Sequence, residues 1–468
     1  MGDAGAGMLS PIVIAGCGVE VDVTLPSGVS TDEVQKRRRK LAENLDRHEH
    51  EVFITIPQAA RTVRMWIADS GALDEPIGPS PLTVDAEASA DYYTGRAPWG
   101  QDLRGDAALI SLFQRHLLMT GLSNQGKTAS LRALVLWLAL DTTVEFRIGD
   151  LKGVGDWAMF NGLATVLIEG PTDEHVMDVT EMVEDAVAEM ERRMELVKQS
   201  GSTTGITRDM ARTDPRFRPI VVVVDEAQVA FMCPAKGEDG RPYGGTKATS
   251  RYFMAVRKLQ NQGRAVNVTL WQGTQDPTNE NLPKLVREGA HIRASLVLGT
   301  EEQGRMALGD KAIDGGAAPH KLRQGLDKGT LVVVGDGVKL APGQSSTTIR
   351  THFISGDDAA EIAERAKARR AGVTTLTAVT PAHSADALAD IATVLGDAPR
   401  LRTQEVLQKL AVVNPGEYRE WTFPDLRRVL EAVGAAPYKS DGQMVVARAR
   451  VLEALAERDR DTADGDSA

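Results

Sequence analysis

Long apolar runs are missing from this 468-residue chain: no stretch approaches the roughly eighteen residues a membrane-spanning helix needs, and the best, 131–140, carries Arg132. No transmembrane helix is expected, and any membrane contact would come through a partner. The N-terminus, Met1-Gly-Asp-Ala-Gly-Ala-Gly-Met8, has no basic segment ahead of an apolar one, so no secretory signal is read there. Cysteine is scarce. Cys17 and Cys233 cannot build a disulfide framework or a metal cluster, and they read as small packing residues of a reduced, cytoplasmic protein. Positive charge is short as well: the net charge of −11 excludes a uniformly basic nucleic-acid binder but leaves room for local basic surfaces such as a pore. The length exceeds what one core usually fills, so two or three domains are expected.

What is present is organised around Gly121-Leu-Ser-Asn-Gln-Gly-Lys-Thr128, which fits G-x-x-x-x-G-K-[ST]. Glycines allow a tight turn whose backbone N–H groups face phosphate oxygens. Lys127 reaches the β- and γ-phosphates, and Thr128 offers a hydroxyl to Mg²⁺. The nucleotide cradle is therefore assigned to Gly121, Leu122, Ser123, Asn124, Gln125, Gly126, Lys127 and Thr128, with Ala129 opening the helix. Residues 116–120 read as the strand entering the loop and 130–140 as the helix leaving it.

Three later strands end in polar residues. Pro219-Ile-Val-Val-Val-Val-Asp-Glu226 is an unbroken β-branched run, as a strand buried on both faces requires. Asp225 would share Mg²⁺ with Thr128, and Glu226 would polarise the attacking water. Strand 266–272 is followed by Gly273-Thr-Gln-Asp-Pro277, which places Gln275 where it can sense the γ-phosphate. Strand 144–150 ends in Asp150 and delivers a charged, glycine-rich loop containing Lys152 to the ligand edge of a parallel sheet. Further strands are expected at 292–298, 329–335 and 347–355. Residues 172–199 form a long amphipathic helix whose Val and Met stripe is core.

Between 231 and 264 cations dominate: Lys236, Arg241, Lys247, Arg251, Arg257, Lys258 and Arg264 stand against only Glu238 and Asp239. This is either a phosphate-contacting surface or a solvated basic loop. Residues 1–95 read as a small N-terminal α+β module, with strands at 11–15, 19–25 and 51–56, a helix over 31–46 and a linker at 78–90. His48 and His50 beside Glu49 read as solvated surface. A Thr/Ala-rich linker is expected over 371–398, a compact helical module with helices at 403–413, 422–434 and 443–458, and a disordered acidic tail at 459–468. Interleaved arginines in the helical module suit either a helix-turn-helix or winged-helix DNA binder or a packing module.

From about Trp99 to Arg370 the chain resembles the FtsK/SpoIIIE family of double-stranded DNA translocases. Gly100-Gln-Asp102, Asp150-Leu-Lys-Gly153, Ala188-Glu-Met-Glu-Arg-Arg193, Asp225-Glu226, Gly263-Arg-Ala265, Gly273-Thr-Gln275 and the stretch 286–308 with Arg293 and Arg305 carry the resemblance in order. It implies a RecA-like P-loop ATPase core over 96–370, between the N-terminal module and the winged-helix-like C-terminal domain. It also implies ATP and Mg²⁺ as cofactors, and a homo-oligomeric ring, a hexamer, around double-stranded DNA. ATP would lie between subunits, with Arg293 or Arg264 as the finger supplied in trans. The loop after Asp150, with Lys152, and the loop at 234–250, with Lys236, Arg241, Lys247 and the following Arg251, would line the pore. Four positions depart from the pattern: Asn124-Gln125 replace small residues, Leu151 replaces proline and Asp276 replaces arginine. With no anchor ahead of the motor, a plasmid-transfer, phage or defence version is expected rather than a division-site one. Two rivals stay open: a single-stranded DNA coupling ATPase using Trp157 and Tyr243 as base-stacking rings, and a non-motor ATP-binding scaffold.

Overall fold

A computed structural model describes residues 7–57, 61–201, 205–340, 344–371, 387–396, 398–413, 418, 421–440 and 443–465. The chain divides into two compact units, Met1–Thr377 and Ala378–Ala468.

The first unit opens with an antiparallel sheet of five strands: β1 (Gly7–Met8), β2 (Val13–Ile14), β3 (Gly18–Thr24), β4 (Val52–Thr55) and β5 (Thr62–Ala68). Its core is small, built on Leu25, Ala42, Val52, Ile54 and Val63. The single helix expected over 31–46 is two, Thr31–Lys36 and Arg38–Asn44, parted at Arg37. The break falls in the cationic run Lys36 to Lys40, where like charges on successive turns oppose continuous winding. β5 lies between β3 and β4 and was not expected from the sequence. Residues 78–90 are not a linker. Leu82 is buried in the larger core, and Arg365 and Arg369 donate to backbone carbonyls of Leu82, Asp85 and Ala88. The boundary expected at residue 95 therefore falls inside a continuous packed region.

The larger sheet has ten strands: β6 (Ala97–Asp102), β7 (Ala107–Ile110), β8 (Leu117–Thr120), β9 (Glu145–Asp150), β10 (Val166–Glu169), β11 (Ile220–Asp225), β12 (Val268–Thr274), β13 (Ile292–Ser295), β14 (Thr330–Gly335) and β15 (Thr347–Thr351). Their order is β10-β9-β11-β12-β8-β13-β14-β15-β6-β7. Pairing is parallel from β10 to β13 and antiparallel beyond. Every residue of β8, β9, β11 and β12 is buried; in β11 this shows as the unbroken apolar run Ile220 to Val224, whereas β9 buries Glu145 and Arg147 as an ion pair. Helices Lys127–Ala139 and Gly356–Arg370 cover one face; Asp173–Ser200 and Arg251–Gln262 cover the other. Along Asp173–Ser200 the expected stripe is buried, from Val176 through Met190.

Register sets the site. Asp225 of β11 is paired with Asp150 of β9, and Thr274 of β12 with Thr120 of β8. The polar residues at these strand ends thus share the carboxyl edge of the parallel sheet, where an open α/β sheet receives its ligand.

The second unit runs helix Ala387–Leu395, β16 (Arg400–Arg402), helix Thr403–Val413, helix Phe423–Ala432, β17 (Tyr438–Ser440), β18 (Gln443–Ala447) and helix Arg448–Gly465. β18 pairs antiparallel with both other strands. Three expectations change here. Part of the 371–398 linker is a helix whose Leu388, Ile391, Val394 and Leu395 are buried, while 372–386 lie outside the described residues. The helix expected from Gln443 begins only at Arg448, because the β-branched Val445 and Val446 sit in β18. That last helix also continues through the acidic segment to Gly465. The expected turn at Thr422 holds: its N–H donates to the Asp425 carboxylate at 2.9 Å, and Pro424 occupies the first turn.

Candidate nucleotide site at the sheet edge

β8 delivers the chain into Gly121–Gly126, and the helix starts at Lys127. Two features hold this loop. Asn124 adopts φ 60° and Gly126 φ 97°; asparagine is among the few side chains that take the left-handed region at small cost. Gln125, only 3% exposed, ties the loop to the segment 325–329 through its side chain and its carbonyl. Its Oε1 accepts from Gly325 N–H at 3.0 Å, and its carbonyl accepts from Gly329 N–H at 2.9 Å. The first of these bonds needs the glutamine side chain; the second any residue could make. At Gly121 an added Cβ would lie 2.8 Å from Leu296 Cβ, so the position needs glycine for space.

Asp225 is fully buried and takes four donors. The Lys127 ammonium sits against Oδ1, and Glu226 N–H donates to the same oxygen at 3.0 Å. Thr128 Oγ1 donates to Oδ2 at 2.7 Å, with Trp157 Nε1 farther off at 3.4 Å. Burial alone would raise the Asp225 pKa, but Lys127 and these hydrogen bonds outweigh it and hold the carboxyl below its ordinary range. The converse applies to Lys127: burial opposes its charge, and Asp225 with Glu226 more than restore it, leaving the pKa raised. Thr128 and Asp225 are hard oxygen donors meeting at one point, which fits a shared, partly hydrated Mg²⁺.

Glu226 follows at φ 58°, left-handed for a side chain that gains nothing locally from it. Such a conformation costs about 1–2 kcal/mol and persists where surroundings over-determine it. They do so here. Glu226 Oε1 is 3.0 Å from Lys127 Nζ and accepts from Gln275 Nε2 at 2.8 Å; Oε2 accepts from Gln228, whose Oε1 takes the Thr274 hydroxyl at 2.8 Å. Gly273 is indispensable in this cluster, since a Cβ there would meet Asp225 Oδ1 and stand 3.2 Å from Lys127 Nζ. Asp150 adds a third buried carboxylate on the same sheet edge. Its Oδ1 accepts from Lys152 N–H at 3.0 Å, Oδ2 has no partner, and burial followed by the Asp225 charge raises its pKa.

Of the residues expected to act on nucleotide, Lys127, Thr128, Asp225, Glu226 and Gln275 are brought together. Arg264 and Arg293 are not. Arg264 lies at the amino end of β12, the opposite edge from Gly273, facing Asp336 at 3.7 Å. Arg293 is part-buried in β13, paired with Leu118, beside Gly309. Sequence reasoning missed Gln228, although a polar residue two positions past an acidic strand end was visible. It also misplaced Trp157, which is fully buried beneath Asp225.

The basic stretch divides. Lys236 and Arg241 are exposed on a hairpin-like loop closed by Lys236 and Pro242, Lys247 is exposed just after it, and none of the three makes an ion pair among the described residues. Lys152 is half-exposed and bound to Asp156 at 2.7 Å. Arg251 is not a free cation: its guanidinium bonds Glu184, approaches Glu181 at 3.8 Å, and lies 4.2 Å over the Tyr243 ring. Arg257 and Lys258 are likewise taken, by the Leu285 carbonyl and Glu191. Tyr243, 6% exposed, and Trp157, 0% exposed, are buried rings and present no face for base stacking.

The comparisons with known proteins agree with this geometry. The FtsK/SpoIIIE family model matches residues 84–314. That stretch is an FtsK/SpoIIIE family domain. "Protein Tra" of Streptomyces lividans is 27% identical over 286 residues, covering 58% of this chain and 43% of that protein, so the chain spans under half the length of this relative. Among solved structures, the monomer form of the pCW3 conjugation coupling protein TcpA with ATPγS superposes with a TM-score of 0.51 at 16% identity, over 78% of this chain and 93% of that one. The cytoplasmic domain of the type VII secretion ATPase EccC of Thermomonospora curvata gives 0.45 at 20% identity, over 59% and 31%. The fold is that of a P-loop ATPase, as expected. No helix among the described residues is long and apolar enough to cross a membrane.

Proposed function

We propose that this chain hydrolyses ATP to move DNA, acting as a ring, a hexamer, around the double helix in a plasmid-transfer process. The observation that carries the proposal is the convergence of Lys127, Thr128, Asp225, Glu226 and Gln275 at one sheet edge of an FtsK/SpoIIIE domain. A protein that only held nucleotide would need the first three. Glu226, kept in a strained backbone conformation and fixed by two glutamines, is the surplus that hydrolysis explains.

Phosphate oxygens compete with Asp225 and Glu226 for the Lys127 ammonium, so binding the β- and γ-phosphates draws Lys127 off the carboxylates. Thr128 and Asp225 would hold Mg²⁺, which neutralises charge on those phosphates. Freed of its ion pair, Glu226 accepts a proton from the attacking water while Gln275 and Gln228 keep its carboxylate aimed. Gln275 also stands where it can register the loss of the γ-phosphate. Arg293, then Arg264, are the residues we assign to the neighbouring subunit's site, consistent with both lying outside their own. Lys152 and the loop bearing Lys236, Arg241 and Lys247 would grip backbone phosphates in the pore. In the second unit, the helix–strand–helix–helix–strand–strand order supports a winged-helix reading, with Phe423–Ala432 as the helix offered to DNA.

The test is ATP turnover by the full chain with linear duplex, single-stranded DNA or neither. Duplex should stimulate most. Greater stimulation by single strands would move the assignment to a coupling ATPase for single-stranded DNA, and turnover indifferent to both would leave a non-motor scaffold. Negative-stain images with ATP analogue and duplex should show rings with DNA through them.

A further inference from the structure

Apart from the nucleotide site, the first unit encloses a cavity of about 670 Å³ between the small sheet with its two helices and the segments 301–330 and 344–350. That volume suits a metabolite-sized ligand. Its charged wall is mostly matched in pairs: Arg104 with Glu20, Arg305 with Asp314 and Lys321 with Glu49. Two guanidinium groups are left over. Arg38 donates Nε to the Glu49 carbonyl at 2.9 Å and stacks 5.2 Å from the Phe53 ring; Arg350, from β15, donates to the Glu75 carbonyl. Neither has a carboxylate partner among the described residues. Burial pushes the Arg38 pKa down to about 10, by more than the nearby Glu49 charge restores. In the same wall His50 and His320 each keep one ring nitrogen with no hydrogen-bond partner.

Both guanidinium groups are part-buried and among the described residues donate only to backbone carbonyls, so their forks are not closed on a carboxylate and remain open to an incoming oxyanion. Planar guanidinium forks suit phosphate and carboxylate oxygens, which they bind bidentately. We propose that this cavity is a second binding site, for a small multivalent anion, held between Arg38 from the N-terminal sheet region and Arg350 from the motor sheet. It is separate from the P-loop and independent of whether the P-loop site hydrolyses ATP.

The experiment titrates pyrophosphate and, separately, citrate into full-length Lys127→Ala protein, which silences phosphate binding at the P-loop, with calorimetric detection. One saturable site for at least one of the two anions is expected. Arg38→Met and Arg350→Met, made in that background and checked for folding by circular dichroism, should each weaken it at least tenfold. Should Arg38→Met not fold, Arg350→Met and His320→Asn on the motor wall carry the same readout. Wild-type protein with pyrophosphate should show two classes of site, of which only one is lost on replacing Lys127. No saturable binding by either anion at millimolar concentration, or binding unmoved in the folded arginine variants, overturns the proposal.

Discussion

Lys127 and Arg251 are each held by two carboxylates, whereas Lys236, Arg241 and Lys247, drawn from the same basic stretch as Arg251, stand exposed without an ion pair among the described residues. In sequence, all but Lys127 looked alike. What separates them is the long helix Asp173–Ser200, which lays Glu181 and Glu184 beside Arg251 and pairs no carboxylate with Lys236, Arg241 or Lys247. A cation that folding has already paired cannot also pair with a backbone phosphate without surrendering that bond. The loop cations have nothing to surrender. Lys127 is a third case: its partners are themselves part of the chemistry, so its ion pair exists to be exchanged.

The most damaging change this contrast predicts is Lys127→Ala. Losing a preorganised charge at the transferred phosphate should reduce ATP turnover about a thousandfold or more. Circular dichroism should stay native, because the sheet is packed from apolar strands on both faces. Normal hydrolysis by the variant would remove the nucleotide-site assignment altogether. Next comes Glu226→Gln, expected to lower turnover by roughly 10²- to 10⁴-fold while leaving ATP affinity near wild type, since the amide keeps the shape and loses the base. A variant that loses binding instead would make Glu226 a structural partner of Lys127, collapsing the distinction between exchangeable and fixed ion pairs.

Gln275→Ala and Gln228→Ala probe how that carboxylate is aimed. Each should cost about tenfold to a hundredfold in kcat with little change in KM. If both are silent, Glu226 is positioned by its backbone alone. Gln228 is also the clearest measure of what the sequence could not disclose. The P-loop, the apolar strand ending in Asp225, the strands ending in Asp150 and Thr274, and the amphipathic helix were legible because glycine spacing, β-branched runs and helical periodicity are local signals. Gln228 bonding Thr274, Trp157 beneath Asp225 and Gln125 holding Gly325 join residues far apart in the chain, and only the strand register brings them together. The helix Ala387–Leu395 failed for another reason. Its apolar spacing was present, but the Thr- and Ala-rich residues ahead of it carried the composition of a linker.

The smallest effects decide the comparison most directly. Arg251→Ala removes a partly buried ion pair and a cation–π interaction, so it should cost about 1–2 kcal/mol of stability, read as a lower Tm. It should leave the salt dependence of duplex binding unchanged. Replacing Lys236, Arg241 and Lys247 by Ala should do the reverse: stability within about 0.5 kcal/mol of wild type, as for surface substitutions, and a log–log salt slope shallower by roughly 0.9 for each DNA phosphate that is no longer neutralised. Measuring both quantities on both variants matters because either alone is ambiguous. A destabilised protein also binds DNA less, but its salt slope does not change. If Arg251→Ala flattens the slope, then the pair with Glu184 opens when DNA is present, and Arg251 belongs with Lys127 as a cation whose bond is made to be exchanged.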